Sequence, residues 1–184
     1  MHTYLSAVAF ALLASVSLAA PLSTRANTTV CSPEINGTIT TKIVAADSTR
    51  DAWWPDLLDG YPVNVSIVTI GTMNTDPSPL LHLSNYGGND QYRIAIHNDT
   101  SKCLSGRYGL IGSADCGSPL AAWTITCETC RLNSGSECQF KATAVGACAT
   151  VVEPDQPMNV STCSAARSPD DYVIYGAQYF AFGG

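Results

Sequence analysis

The chain has 184 residues, only 13% of them charged, and a formal net charge of −6. An acidic chain with so few charges exerts no general electrostatic attraction on nucleic acid or anionic lipid, so neither is expected as a partner.

Residues 1–20, MHTYLSAVAFALLASVSLAA, are an apolar run ending in small residues. That is the pattern of a secretory signal peptide, with cleavage expected near Ala19 or Ala20. The segment before the run holds only His2 and the amino terminus as cationic groups; a membrane anchor is the competing reading, disfavoured by the shortness of the run. No later apolar stretch is long enough to cross a bilayer, so no membrane partner is expected. About 165 residues would remain, enough for one domain that buries roughly two-thirds of its unfolded surface. Residues 21–30, PLSTRANTTV, are polar and aperiodic and are expected to form a loose N-terminal arm, leaving 31–184 as a single domain.

From Cys31 the chain alternates β-branched and polar residues, in Thr38–Val44 and again in Val63–Val68. Alternation of this kind predicts half-buried strands, and no long stretch has helical spacing. Trp53–Leu58, with Pro55 limiting its start, is expected to make at most one helical turn. The clearest unit is Gln91–Cys127, with apolar patches at Tyr92–Ile96, Cys103–Leu104, Tyr108–Ile111 and Trp123–Ile125 separated by turn-forming residues. It reads as four short strands.

Self-similarity follows from Ser-Pro pairs at Ser78-Pro79, Ser118-Pro119 and Ser168-Pro169, spaced by 40 and 50 residues. Each follows a strand-and-turn segment and precedes an apolar strand, which marks a fold assembled from like units. The two later units also match through Cys103 with Cys116 and Cys148 with Cys163, Tyr172 standing where Trp123 stands. Three units of four short strands resemble the β-trefoil, and the pattern C-L-x(11)-C followed by W-x-I resembles the ricin B-type lectin repeat. The resemblance implies an all-β, disulfide-bonded β-trefoil over about residues 31–184 and a carbohydrate ligand.

Eight cysteines, Cys31, Cys103, Cys116, Cys127, Cys130, Cys138, Cys148 and Cys163, follow the leader. An even count in an exported chain argues for disulfides over metal or free thiols. The resemblance implies Cys103–Cys116 and Cys148–Cys163. Pairing among Cys31, Cys127, Cys130 and Cys138 stays open: Cys127 or Cys130 with Cys138 would close a hairpin, and Cys31 would take the partner left over. Cys127-Glu128-Thr129-Cys130 has redox or half-zinc spacing, but no βαβ context and no second ligand pair accompany it, so no metal and no cofactor are expected. Five sequons begin at Asn27, Asn36, Asn64, Asn98 and Asn159, candidate N-glycosylation sites that need exposed backbone.

No nucleophile elbow, HExxH or phosphate loop is present, and the histidines after the leader are His82, on an expected strand, and His97. No catalytic residue is expected, and the chain is read as a non-enzyme. In the related lectins a carboxylate, an aromatic ring and an asparagine hold the sugar. The matching positions here carry Ser105, Ala114 and Leu120 in the second unit and Thr150, Ser161 and Pro169 in the third, so the usual sugar chemistry is gone. A relocated platform is expected at Trp53, Trp54, Asp56, Asp59 and Tyr61, against the plainer reading that a tryptophan fills the core. Glycans are thus the leading partner class. The alternatives are a protease, blocked by the loops Asn98–Arg107 or Glu153–Asn159, and a structural or surface role without a ligand.

Overall fold

A computed structural model describes residues 30–45, 51–56, 67–72, 80–88, 90–97, 99–107, 109–152, 157–164 and 178–183. The expected signal peptide, all of the expected arm but Val30, and Tyr172 lie outside them. The described residues form strands β1 (Thr38–Thr41), β2 (Ile43–Ala45), β3 (Asp51–Asp56), β4 (Ile67–Thr72), β5 (Leu81–Asn85), β6 (Gln91–Ile96) and β7 (Asp99–Arg107). They continue with β8 (Leu110–Asp115), β9 (Trp123–Arg131), β10 (Ser134–Ala142), β11 (Ala147–Thr150), β12 (Asn159–Ser161) and β13 (Phe180–Phe182). A single 3-10 turn at Pro119–Ala121 interrupts them, capped by the Ser118 hydroxyl. No helix among the described residues is long and apolar enough to cross a membrane.

The alternation in sequence becomes alternation in burial. In β5 Leu81 and Leu83 are buried while His82 and Ser84 face outward, and β6 buries Tyr92 and Ile94 but not Arg93 or Ala95. The strands join in one sheet in the order β1-β5-β6-β7-β8-β12-β11-β10-β13-β2-β3-β4, with β9 bridging β10 and β6. Long β9 and β10 pair from Arg131–Ser134 to Trp123–Ala142 around a two-residue turn in which Asn133 takes a positive φ of 61°. Asparagine tolerates that conformation better than most residues.

The stretch expected to make a helical turn is instead strand β3, paired from Asp51–Thr72 to Asp56–Ile67 with β4 and at Ala52–Val44 with β2. The two-sided ladder satisfies backbone groups that one isolated turn would leave open, and Pro55 pairs with Val68 near the strand's end.

Trp53 is 0% exposed and sits among Trp123, Phe140 and Phe180 at centroid distances of 6.2, 5.1 and 5.1 Å. Tilted and edge-on pairs of this kind add about 0.5–1.5 kcal/mol each beyond their buried area. Trp123 Nε1 donates to the Leu104 carbonyl at 2.8 Å, whereas Trp53 Nε1 finds no partner among the described residues. Four disulfides bind the frame: Cys31–Cys130, Cys103–Cys116, Cys127–Cys138 and Cys148–Cys163. Cys31 also exchanges both backbone hydrogen bonds with Cys127, so β9 is tied to the start of the domain twice over.

Candidate functional site

Strands β1, β5 and β6 lie side by side, and their register sets polar residues in rows on the outer face. Thr38 pairs with Ser84 and Ser84 with Arg93; Thr40 pairs with His82 and His82 with Ala95. Together with Thr100 and the Cys103–Cys116 disulfide, the residues Thr38, His82, Ser84, Arg93 and Ala95 line a surface groove of about 380 Å³. That volume is in the range of small-ligand clefts, roughly 300–1,000 Å³. Ala95 and the disulfide give it an apolar patch, and the hydroxyls, imidazole and guanidinium give it donors and acceptors.

His82 is held on both ring nitrogens. Its Nδ1 lies 3.0 Å from the Thr40 hydroxyl and its Nε2 lies 3.1 Å from Nδ1 of His97, whose ring packs on it at 4.8 Å. One of the two facing nitrogens must carry a proton and the other must not, so the contact tolerates at most one net charge on the pair. Arg93 lies with its guanidinium carbon 3.3 Å from the Tyr86 ring centre, a cation–π stack that fixes its plane. Its Nε and Nη2 are buried and have no partner among the described residues. Nearby, Asp99 is engaged by the Ser101 hydroxyl and backbone N–H, at 2.5 and 3.1 Å, which hold its carboxyl below the ordinary range. Lys102 bonds Asp115 at 2.5 Å, and that bond and charge hold its ammonium pKa up.

Of the positions that match the usual lectin site, Ser105 and Thr150 are buried, Ala114 and Leu120 half-buried and Ser161 exposed, and Pro169 lies outside the described residues. Ser105 is buried within β7 and faces Gly112, and Ala114 faces Cys103. In the third unit Thr150 and Ser161 lie on paired strands, and Gln178 Nε2 donates to both hydroxyls and to the Thr162 carbonyl, each at 2.9 Å. Gln178 Oε1 accepts from Ser164 N at 2.8 Å, and Gln139 Nε2 bonds Ser164 from the other side. The polar atoms there are spent on one another.

Of the platform expected from sequence, Trp53 is enclosed and offers no ring face to a sugar, so it belongs to the core. Asp59 and Tyr61, and the side chains of Trp54 and Asp56, lie outside the described residues. The segment Asn98–Arg107, expected as a protease-blocking loop, is strand β7 from Asp99 onward, paired with β8 from Lys102–Asp115 to Arg107–Leu110. A strand inside a sheet cannot fill a protease cleft as an exposed loop does. Of the other loop, residues 153–156 lie outside the described residues. Asn36 is exposed, Asn159 is half-buried and paired with Thr150 and Leu110, and Asn27, Asn64 and Asn98 lie outside the described residues. Among the described residues no group of three or more His, Cys, Asp or Glu side chains is placed to hold a metal ion.

Compared by sequence, the chain matches no protein family and no curated protein. Compared by structure, it is similar to the Haemophilus ducreyi cytolethal distending toxin, with 9% identity, TM-score 0.56 and coverage of 77% of this chain and 80% of that one. It is also similar to a proteinase inhibitor from Coprinopsis cinerea, with 12% identity, TM-score 0.55 and 80% and 97% coverage. A third likeness is to the Polyporus squamosus lectin solved with a sialylated influenza-binding epitope, with 14% identity and TM-score 0.54, over 80% of this chain and 49% of the lectin. The fold is therefore an all-β, disulfide-bonded β-trefoil, shared with these proteins at great sequence distance.

Proposed function

We propose that the chain is an exported, N-glycosylated carbohydrate-binding module with no catalytic role, whose ligand occupies the groove over β1, β5 and β6. The single observation behind this reading is the groove's composition: hydroxyls of Thr38, Ser84 and Thr100 and the His82 ring surround an apolar patch of Ala95 and the disulfide. A sugar ring presents the same mixture, with hydroxyls at its edge and C–H groups on its face. The burial of Ser105 and the bond between the Thr150 and Ser161 hydroxyls support a site away from the usual one.

The test is a glycan array with the wild-type protein and Ser84→Phe, which fills the groove from a half-buried outer position. Binding by the wild type that falls at least about tenfold in the variant supports the reading. A blank array, or binding indifferent to Ser84→Phe, removes it. Inhibition in a parallel protease panel would put the blocking function in its place.

A further inference from the structure

The charge around the groove is one-sided. None of its lining residues is acidic, although the chain as a whole carries −6. Arg93 on β6 has no carboxylate partner among the described residues, and two of its nitrogens are buried without a hydrogen bond. The Tyr86 phenol stacks on it, and of the strands beside β6, β5 carries His82 and β7 carries Asp99 and Lys102, with Asp115 on β8 beyond and His97 just after β6. Asp99 is held by Ser101 and Asp115 by Lys102, so neither is turned to neutralising Arg93.

A half-buried guanidinium without an anion is costly, and because Nε and Nη2 are shut off from solvent it offers a carboxylate or sulfate in the groove the charge of its planar group rather than a two-nitrogen fork. Stacking on Tyr86 pre-orients that plane, which reduces the entropy lost when an anion arrives. His82, held on both ring nitrogens by Thr40 and His97, sets a fixed polar ring in the groove wall. Resting on the carbohydrate reading above, we infer that the groove selects acidic saccharides, with Arg93 pairing the carboxylate or sulfate and the Thr38, Ser84 and Thr100 hydroxyls meeting the ring.

Binding is measured on the full glycosylated protein with a glucuronate-terminated disaccharide, a sulfated disaccharide, the neutral counterpart of each, and inorganic sulfate. The acidic disaccharides should bind at least about tenfold more tightly than the neutral ones, and less tightly as sodium chloride is raised. Arg93→Gln should weaken the acidic disaccharides far more than the neutral ones and so remove that advantage. Ser84→Glu, directly across the register from Arg93, puts a carboxylate into the groove beside the guanidinium, and should repel the acidic ligands even if Arg93→Gln does not fold. Equal binding of acidic and neutral sugars, or acidic binding undiminished in Ser84→Glu, overturns the acidic selectivity while the carbohydrate reading stands. Inorganic sulfate binding as tightly as the sulfated disaccharide makes this a bare-anion site and overturns it too. Failure of every saccharide to bind removes the carbohydrate reading itself.

Discussion

The Thr150 and Ser161 hydroxyls lie 2.7 Å apart, and a single amide nitrogen of Gln178 reaches both. Here the fold keeps the positions of a sugar site but joins them to each other. Gln178 is 6% exposed, and its side chain serves Thr150, Ser161, Thr162 and Ser164 together.

Gln178→Leu should therefore destabilise the protein by about 2–3 kcal/mol, because it removes the bonds Gln178 makes to Thr150, Ser161, the Thr162 carbonyl and the Ser164 N–H, the last two losing their partner there. Urea denaturation of wild type and variant measures it. The same variant should bind no glycan that the wild type ignores, since freeing these hydroxyls supplies neither a carboxylate nor a ring; an array that shows such a new ligand would contradict the view that these positions are chemically empty.

Trp53→Ala should cost about 3–5 kcal/mol as a core cavity. Its ring contacts three other aromatics and its indole N–H has no partner among the described residues, so Trp53→Phe removes that donor along with some volume and should cost clearly less, about 1–2 kcal/mol. Thermal denaturation of both variants checks the order. A Trp53→Ala variant that is as stable as wild type but defective in glycan binding would return this residue to the ligand site.

The fold was legible in the sequence because its signals are local: period-two alternation in Thr38–Val44, which becomes β1 and β2, and the cysteine and tryptophan spacing of the Cys103–Ile125 stretch. Strand β3 was missed because Asp51–Asp56 has no such alternation. It carries two tryptophans and a proline in succession, and it becomes a strand through its ladders with β2 and β4. The groove was illegible for a related reason. Thr38, His82, Ser84 and Arg93 share no sequence spacing and meet only through the register of three strands. His82 and His97 were visible singly, as a strand residue and an exposed one, but nothing in a separation of 15 residues announced their contact.

Gly135 marks a point where the disulfide frame leaves no room. A Cβ at this position would lie 2.7 Å from Sγ of both Cys127 and Cys138 and 3.0 Å from the Phe182 ring. Neither sulfur can yield while the bond between them is intact. Gly135→Ala should destabilise the oxidised protein by about 1–3 kcal/mol through overpacking. In a Cys127→Ala, Cys138→Ala background the same substitution should cost much less, and a double-mutant cycle on denaturation midpoints isolates the coupling. Equal costs in both backgrounds would place the strain elsewhere.

Tyr92 gives the fold an alkaline limit. Its hydroxyl donates to the Pro33 carbonyl at 2.6 Å, its side chain is 2% exposed, and burial, followed by the charge of Asp90, pushes its pKa from 10.0 up to about 12. Below about pH 10 the phenol is neutral in folded and unfolded chains alike, so the contact with Pro33 is fully present. Above that the unfolded chain ionises first. Stability should therefore fall as pH rises from about 10 to about 12, with no further loss from this group beyond it. The loss should be about 1–2 kcal/mol, the contribution of exposed Asp90 being screened by solvent. Ultraviolet titration should show one late-ionising tyrosine that is absent from Tyr92→Phe, and the variant's stability should be flatter with pH in this window. A variant that loses stability as steeply as wild type between pH 10 and 12 would assign the alkaline limit to another group.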